Sequence, residues 1–121
     1  MSKAPYIVLV DDDRQVIRLF KKVLEESGYA VTATTSGRKA LALIKQSMPD
    51  LLITDLNMPE PDGFDLLIGE RSRFPYLPIM VISGMKAPML EAAKFVGAAA
   101  TLEKPVAAEA LVAKVRAVLG K

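Results

Sequence analysis

The feature that most constrains this chain is an alternation of two periodicities. Short apolar runs, Tyr6–Val10, Ala30–Thr34, Leu51–Thr54, Ile79–Ser83 and Ala99–Glu103, are separated by longer stretches in which apolar residues recur at helical spacing. Four of the runs are almost continuously apolar, as strands buried on both faces of a parallel sheet read. Ala30–Thr34 alternates instead, which places it at a sheet edge. Repetition of strand and helix in this order predicts an α/β fold, a parallel sheet covered by helices on both sides.

The helical stretches carry their own punctuation. Val16, Phe20, Val23 and Leu24 share a face, and Gly28 supplies the stop. Ser36 is placed to cap a second helix carrying Ala40, Leu41 and Ile44, which ends before Met48-Pro49. A third runs from about Phe64 to Arg73, ahead of Pro75. Pro88 suits the first position of a fourth, which ends at Gly97. Leu111, Val112, Val115, Val118 and Leu119 give the fifth its stripe, closed by Gly120.

With 121 residues the chain fits one domain. It contains no cysteine and no histidine, which excludes disulfide frameworks, Cys/His zinc sites and any triad with an imidazole base. Sixteen Lys and Arg against fourteen Asp and Glu are too balanced for a nucleic-acid footprint. No stretch approaches the roughly 20 apolar residues a membrane-spanning helix needs. Asp11-Asp12-Asp13 interrupts the first apolar run before it can form a signal-peptide core. A soluble, cytoplasmic protein is expected, with no membrane and no direct nucleic-acid partner. Neither a Gly-rich dinucleotide fingerprint nor a P-loop is present.

In such sheets ligands bind beyond the carboxyl ends of the strands. Asp11, Asp12 and Asp13 follow the first strand, Asp55 ends the third, Ser83 the fourth and Lys104 the fifth. Carboxylates crowded at one rim repel one another and cost stability unless a cation sits there. Helix capping accounts for one of them, Asp12 or Asp13, but not for the whole set. An all-oxygen ligand set with room for water suits Mg²⁺. Asp55, Ser83-Gly84 and Lys104-Pro105 each have an ordinary reading as loop or turn residues. Their joint placement on different strand ends makes sense as carboxylate phosphorylation: an Asp nucleophile, with Mg²⁺, the Lys104 ammonium and the Ser83 hydroxyl taking the phosphoryl oxygens. Gly84 would keep the approach open.

Val8-Leu9-Val10-Asp11-Asp12-Asp13, Asp55-Leu56-Asn57-Met58-Pro59 with Asp62-Gly63, Ile82-Ser83-Gly84 and Lys104-Pro105 together resemble the receiver domain of bacterial two-component response regulators. The resemblance covers essentially the whole chain. It implies a flavodoxin-like (βα)5 doubly wound sheet of strand order 2-1-3-4-5, an order the chemotaxis member of the family illustrates. Asp55 is then the phosphoacceptor. Asp12 is a direct Mg²⁺ ligand, Asp11 acts largely through water, and Asn57 contributes its backbone carbonyl. Ser83 and Lys104 follow the phosphoryl group, and the bond before Pro105 is expected to be cis. Asp13 is expected to cap the first helix. Asp12→Asn is expected to weaken Mg²⁺ binding and to raise metal-free stability by removing a buried repulsive charge.

The resemblance departs at Thr101, where receivers often carry an aromatic residue that turns inward on activation. The signal is therefore expected to leave through the loop Gly84–Ala87 and the fourth helix, with Met80, Met85 and Met89 repacking or serving as ordinary core.

The function implied is a switch rather than an enzyme. It accepts phosphate from a phosphohistidine on a sensor kinase or phosphotransfer protein and changes what downstream protein it binds, with room for a phosphorylation-dependent dimer. Two alternatives stand beside it. One is a Mg²⁺-dependent phosphatase resembling the haloacid dehalogenases, although their Asp pair follows strand one and Asn57 stands where the second carboxylate is needed. The other is an unphosphorylated docking or dimerisation receiver. A single receiver domain over residues 1–121, ordered from about 5 to 119 and without an output domain, is the expected organisation, either as a stand-alone protein or as part of a longer regulator or hybrid kinase.

Overall fold

The computed structural model describes residues 4–56, 65, 69, 73–84, 91–94 and 97–120. Its centre is a five-stranded parallel sheet: β1 (Tyr6–Val10), β2 (Ala30–Thr34), β3 (Leu51–Asp55), β4 (Ile79–Ser83) and β5 (Ala100–Glu103), in the order β2-β1-β3-β4-β5. This is the flavodoxin-like order expected. Ala30–Thr34 lies at an edge, as its alternation implied. The third strand runs one residue further than expected, through Asp55. The fifth begins at Ala100, although the Ala99 amide already donates to the Ile79 carbonyl at 2.8 Å.

Pleating sends successive side chains to opposite faces, and both faces are filled. Val8 and Val10 of β1, Leu52 of β3 and Ile79 and Val81 of β4 pack with Ala40, Ile44 and Ala93. Ile7, Leu9, Ile53, Met80 and Ile82 pack on the other side with Phe20, Leu24, Leu111 and Val115. Helix α1 (Arg14–Glu26) and the C-terminal helix (Ala108–Leu119) thus cover one face, and α2 (Gly37–Gln46) the other. Burial on both sides is why the central strands read as unbroken apolar runs.

The helix ends follow from local chemistry. Asp13 Oδ1 accepts from the amides of Gln15 (2.9 Å) and Val16 (3.4 Å), which caps α1. Its last turn closes with Gly28 at φ 98°, the Gly28 amide donating to Glu25 and the Tyr29 amide to Leu24, a left-handed terminus that favours glycine. Ser36 Oγ accepts from the Lys39 amide at 3.2 Å and caps α2. Asp65, Gly69, Arg73 and residues 91–94 are helical, in line with the third and fourth helices expected. Pro88 and the segment 85–90 lie outside the described residues. So do Met85 and Met89, whereas Met80 is fully buried core.

Because Asp13 acts as a cap and Ile53 as core, their truncations separate. Asp13→Ala is expected to lower stability by about 1 kcal/mol, and Ile53→Ala by about 2–5 kcal/mol. Urea unfolding of both variants checks the order. Equal losses would contradict these roles.

Candidate functional site

The C-terminal ends of β1, β3, β4 and β5 deliver the polar residues to one rim. Asp11 directly follows β1, with its backbone still tied to the sheet: its amide donates to the Thr34 carbonyl at 3.3 Å. Asp55 is the last residue of β3, paired in register with Ile82. Ser83 ends β4, and the Lys104 amide donates to its carbonyl at 2.8 Å. β1, β3 and β4 are packed against the core on both faces, which ties their ends to it.

Asp11 and Asp55 are almost completely buried, at 3% and 5% exposure, and Ser83 is fully buried. The Lys104 ammonium joins the two carboxylates, 2.8 Å from Asp11 Oδ2 and 3.2 Å from Asp55 Oδ2. The other Asp11 oxygen accepts from the Asp13 amide at 2.9 Å. Burial pulls the lysine towards its neutral form, but the hydrogen bond and charge of Asp11, and then those of Asp55, outweigh it. Its pKa is raised above the ordinary 10.5, and the group is a cation at neutral pH. The Lys104–Pro105 bond is cis.

Oxygens of Asp11, Asp12 and Asp55 lie within 4.8 Å of one another. Three carboxylates therefore face one described ammonium, an all-oxygen donor set with surplus negative charge that can hold a hard cation. Asp12 differs from the other two. It is exposed, and its side chain makes no hydrogen bond or ion pair among the described residues. The expectation that Asp12 carries a buried repulsive charge is thus corrected: that burden falls on Asp11 and Asp55, so neutralising Asp12 relieves less repulsion. Its exposure follows from position, one residue beyond Asp11 and before the cap of α1.

A Cβ added at Gly84, the residue after Ser83, would meet nothing within 4 Å. Thr101 is half-buried in β5, opposite Val81. Asn57 lies outside the described residues. The sequence did not signal that Lys104 would bond Asp11 more closely than Asp55, since strand-end positions carry no distances.

Residues 7–116 match the response regulator receiver domain, and the chain belongs to that family of two-component signalling proteins. Among curated relatives, it is 38% identical over 114 residues to response regulator MprA of Mycolicibacterium vanbaalenii, covering 93% of this chain and 49% of that protein. MprA of Mycobacterium leprae is 36% identical over 114 residues, with coverage of 93% and 50%. The chain thus spans about half the length of these relatives. Among solved structures, a response regulator from Chloroflexus aurantiacus superposes with a TM-score of 0.91 at 32% identity, covering 98% of this chain and 100% of that one. Chemotaxis protein CheY4 of Vibrio cholerae gives 0.88 at 30% identity, with coverage of 98% and 100%. Receiver domains are in general switches rather than enzymes, interacting with histidine kinases and downstream effectors. Among the described residues no helix is long and apolar enough to cross a membrane.

Replacing Lys104 by Ala leaves two buried carboxylates without this ammonium. It is expected to cost about 1–3 kcal/mol in metal-free buffer, and added Mg²⁺ is expected to recover part of that loss. Thermal melting with and without the ion measures both effects, and an unchanged midpoint in metal-free buffer would contradict the pairing described.

Proposed function

We propose that Asp55 is the phosphoacceptor of a phosphorylation-dependent switch. The observation that carries this reading is the convergence of Asp11, Asp12 and Asp55 with Lys104 bridging two of them, in a chain of the receiver family. An Asp55 carboxylate oxygen attacks the phosphorus of a phosphohistidine on a sensor kinase or phosphotransfer protein. The P–N bond breaks, its electron pair stays with the imidazole nitrogen, and an acyl phosphate forms on Asp55.

Most of the catalytic effect in such a transfer is positioning and neutralisation of charge. β3 fixes the nucleophile against the core. Lys104 holds an ammonium beside Asp55, and the Ser83 hydroxyl, at the end of the neighbouring strand, would donate to a phosphoryl oxygen. Asp11, Asp12, Asp55 and the Asn57 backbone carbonyl would hold Mg²⁺. The bound ion supplies charge that shields the acidic cluster from the incoming phosphoryl group. Asp12, exposed and unpaired among the described residues, is suited to direct ligation. Asp11, already engaged by Lys104 and the Asp13 amide, is suited to ligation through water.

The phosphoryl group changes the charge at the rim, and the Lys104 ammonium has a new partner to follow. That redistribution is the switch proposed, altering contacts with a downstream protein. The domain responsible is a single unit spanning about 5–119, acting in the cytoplasm.

Incubation with acetyl phosphate and Mg²⁺ is expected to add one phosphoryl mass, which peptide mapping places on Asp55. Asp55→Asn is expected to abolish the adduct with the fold intact, and Asp12→Asn to reduce labelling at limiting Mg²⁺. An adduct that persists in Asp55→Asn would overturn the assignment.

A further inference from the structure

Away from the acidic rim, a cavity of about 520 Å³ lies between α1 and the outer side of β2. It is lined by Arg14, Ile17, Arg18 and Lys21 from the helix and by Val31, Thr32 and Ala33 of the strand with Thr35 just beyond it, and no carboxylate is among these residues. The three cations fall at i, i+4 and i+7, one stripe of α1. Arg14 and Arg18 are exposed and have no ion pair among the described residues. Lys21 pairs with Glu25 of its own helix at 3.7 Å, both side chains nearly half exposed, an arrangement of little strength.

The strand beneath has unused bonding capacity. β2 pairs only with β1 among the described strands. The Ala30 amide donates to Pro5 at 2.9 Å and the Thr34 carbonyl accepts from Asp11, so Ala30, Thr32 and Thr34 turn their backbone groups towards β1. Alternation then points the backbone N–H and C=O of Val31 and Ala33 outward, into the cavity. Their side chains belong to the face that α1 covers. A strand added at this edge would therefore present alternate side chains to the cationic stripe. Arg14 and Arg18 are about 6 Å apart along the helix axis, close to the roughly 6.6 Å between alternate residues of a strand.

We infer that the β2 edge and the Arg14–Arg18–Lys21 stripe form a docking site for an extended, acidic segment of a partner protein, one that adds as a sixth strand with Asp or Glu at alternate positions. Backbone bonds to Val31 and Ala33 supply register, and the cations select the charge of the incoming strand. The same cations repel a second copy of this edge, which keeps the site open for an unlike partner. None of the lining residues belongs to the Asp55 site, so the inference stands apart from the phosphorylation chemistry.

The probe is a synthetic octapeptide alternating Glu and Val, titrated into the intact chain at low ionic strength. Saturable binding is expected, with slowed hydrogen exchange at the Val31 and Ala33 amides. The double variant Arg14→Ser/Arg18→Ser is expected to bind about tenfold more weakly. Ala33→Pro keeps every charge and removes one outward N–H, a change edge strands tolerate, and it too is expected to weaken binding. If that variant misfolds, the exchange measurement on the parent chain still decides the point. Lack of binding, or binding without protection of those amides, overturns the inference. So does equal affinity for a Lys–Val peptide, or tighter binding of a single-stranded oligonucleotide. Self-association of the double variant with peptide affinity unchanged would make the cations an edge guard only, and overturns it as well.

Discussion

An ammonium group wedged between two buried carboxylates sets the character of this molecule. Lys104 reaches Asp11 and Asp55 at 2.8 and 3.2 Å, and both acids are shielded from water. Burying two like charges side by side is costly, and a single cation offsets the cost only in part. The rim is thus held in tension: the fold tolerates the acids because Lys104 is there, and their surplus negative charge favours a further cation or any event that redistributes charge. A site built this way is sensitive to a change in charge, which suits the switching role proposed for it.

The core makes the tension sustainable. Asp11, Asp55, Ser83 and Lys104 come from residues up to 93 apart in sequence, yet each sits at or next to the end of a strand whose body is packed on both faces. Parallel pairing aligns those ends at one rim, and the backbone bond from Lys104 to Ser83 locks the last two together. Truncating a core residue would loosen several functional groups at once, whereas the Asp13 side chain caps α1 and only its backbone amide touches the site, at Asp11. Three consecutive aspartates divide the labour: Asp11 pairs with Lys104, Asp12 faces solvent, and Asp13 starts the helix.

Much of this was legible beforehand, for identifiable reasons. Strand positions were readable because burial on both faces demands unbroken apolar runs such as Ile79–Ser83. The edge position of β2 was readable because its less covered face admits polar residues, so the run alternates, whereas β5, at the other edge and also only partly buried, carried no such signal. Ser36, Gly28 and Gly120 marked helix ends because capping and left-handed termini each admit few residue types. Strand order came from resemblance to a family, since crossover topology leaves no local trace. What stayed hidden was distance and exposure. Nothing in Asp11-Asp12-Asp13 says that the middle residue turns outward, or that Lys104 lies nearer Asp11 than Asp55. Those depend on how β1 and β5 are spaced by β3 and β4. The basic stripe beside β2 was hidden for the same reason: only the structure sets Arg14, Arg18 and Lys21 next to the open edge.

The most direct test of the central claim is a crystal structure grown with Mg²⁺ and beryllofluoride. A trifluoroberyllate bonded to the Asp55 carboxylate is expected, with the Lys104 ammonium drawn from Asp55 onto a fluorine and the metal ligated by the acidic cluster. Beryllofluoride bonded to a different residue, or an empty Asp55 in an otherwise intact fold at saturating concentrations, would contradict it.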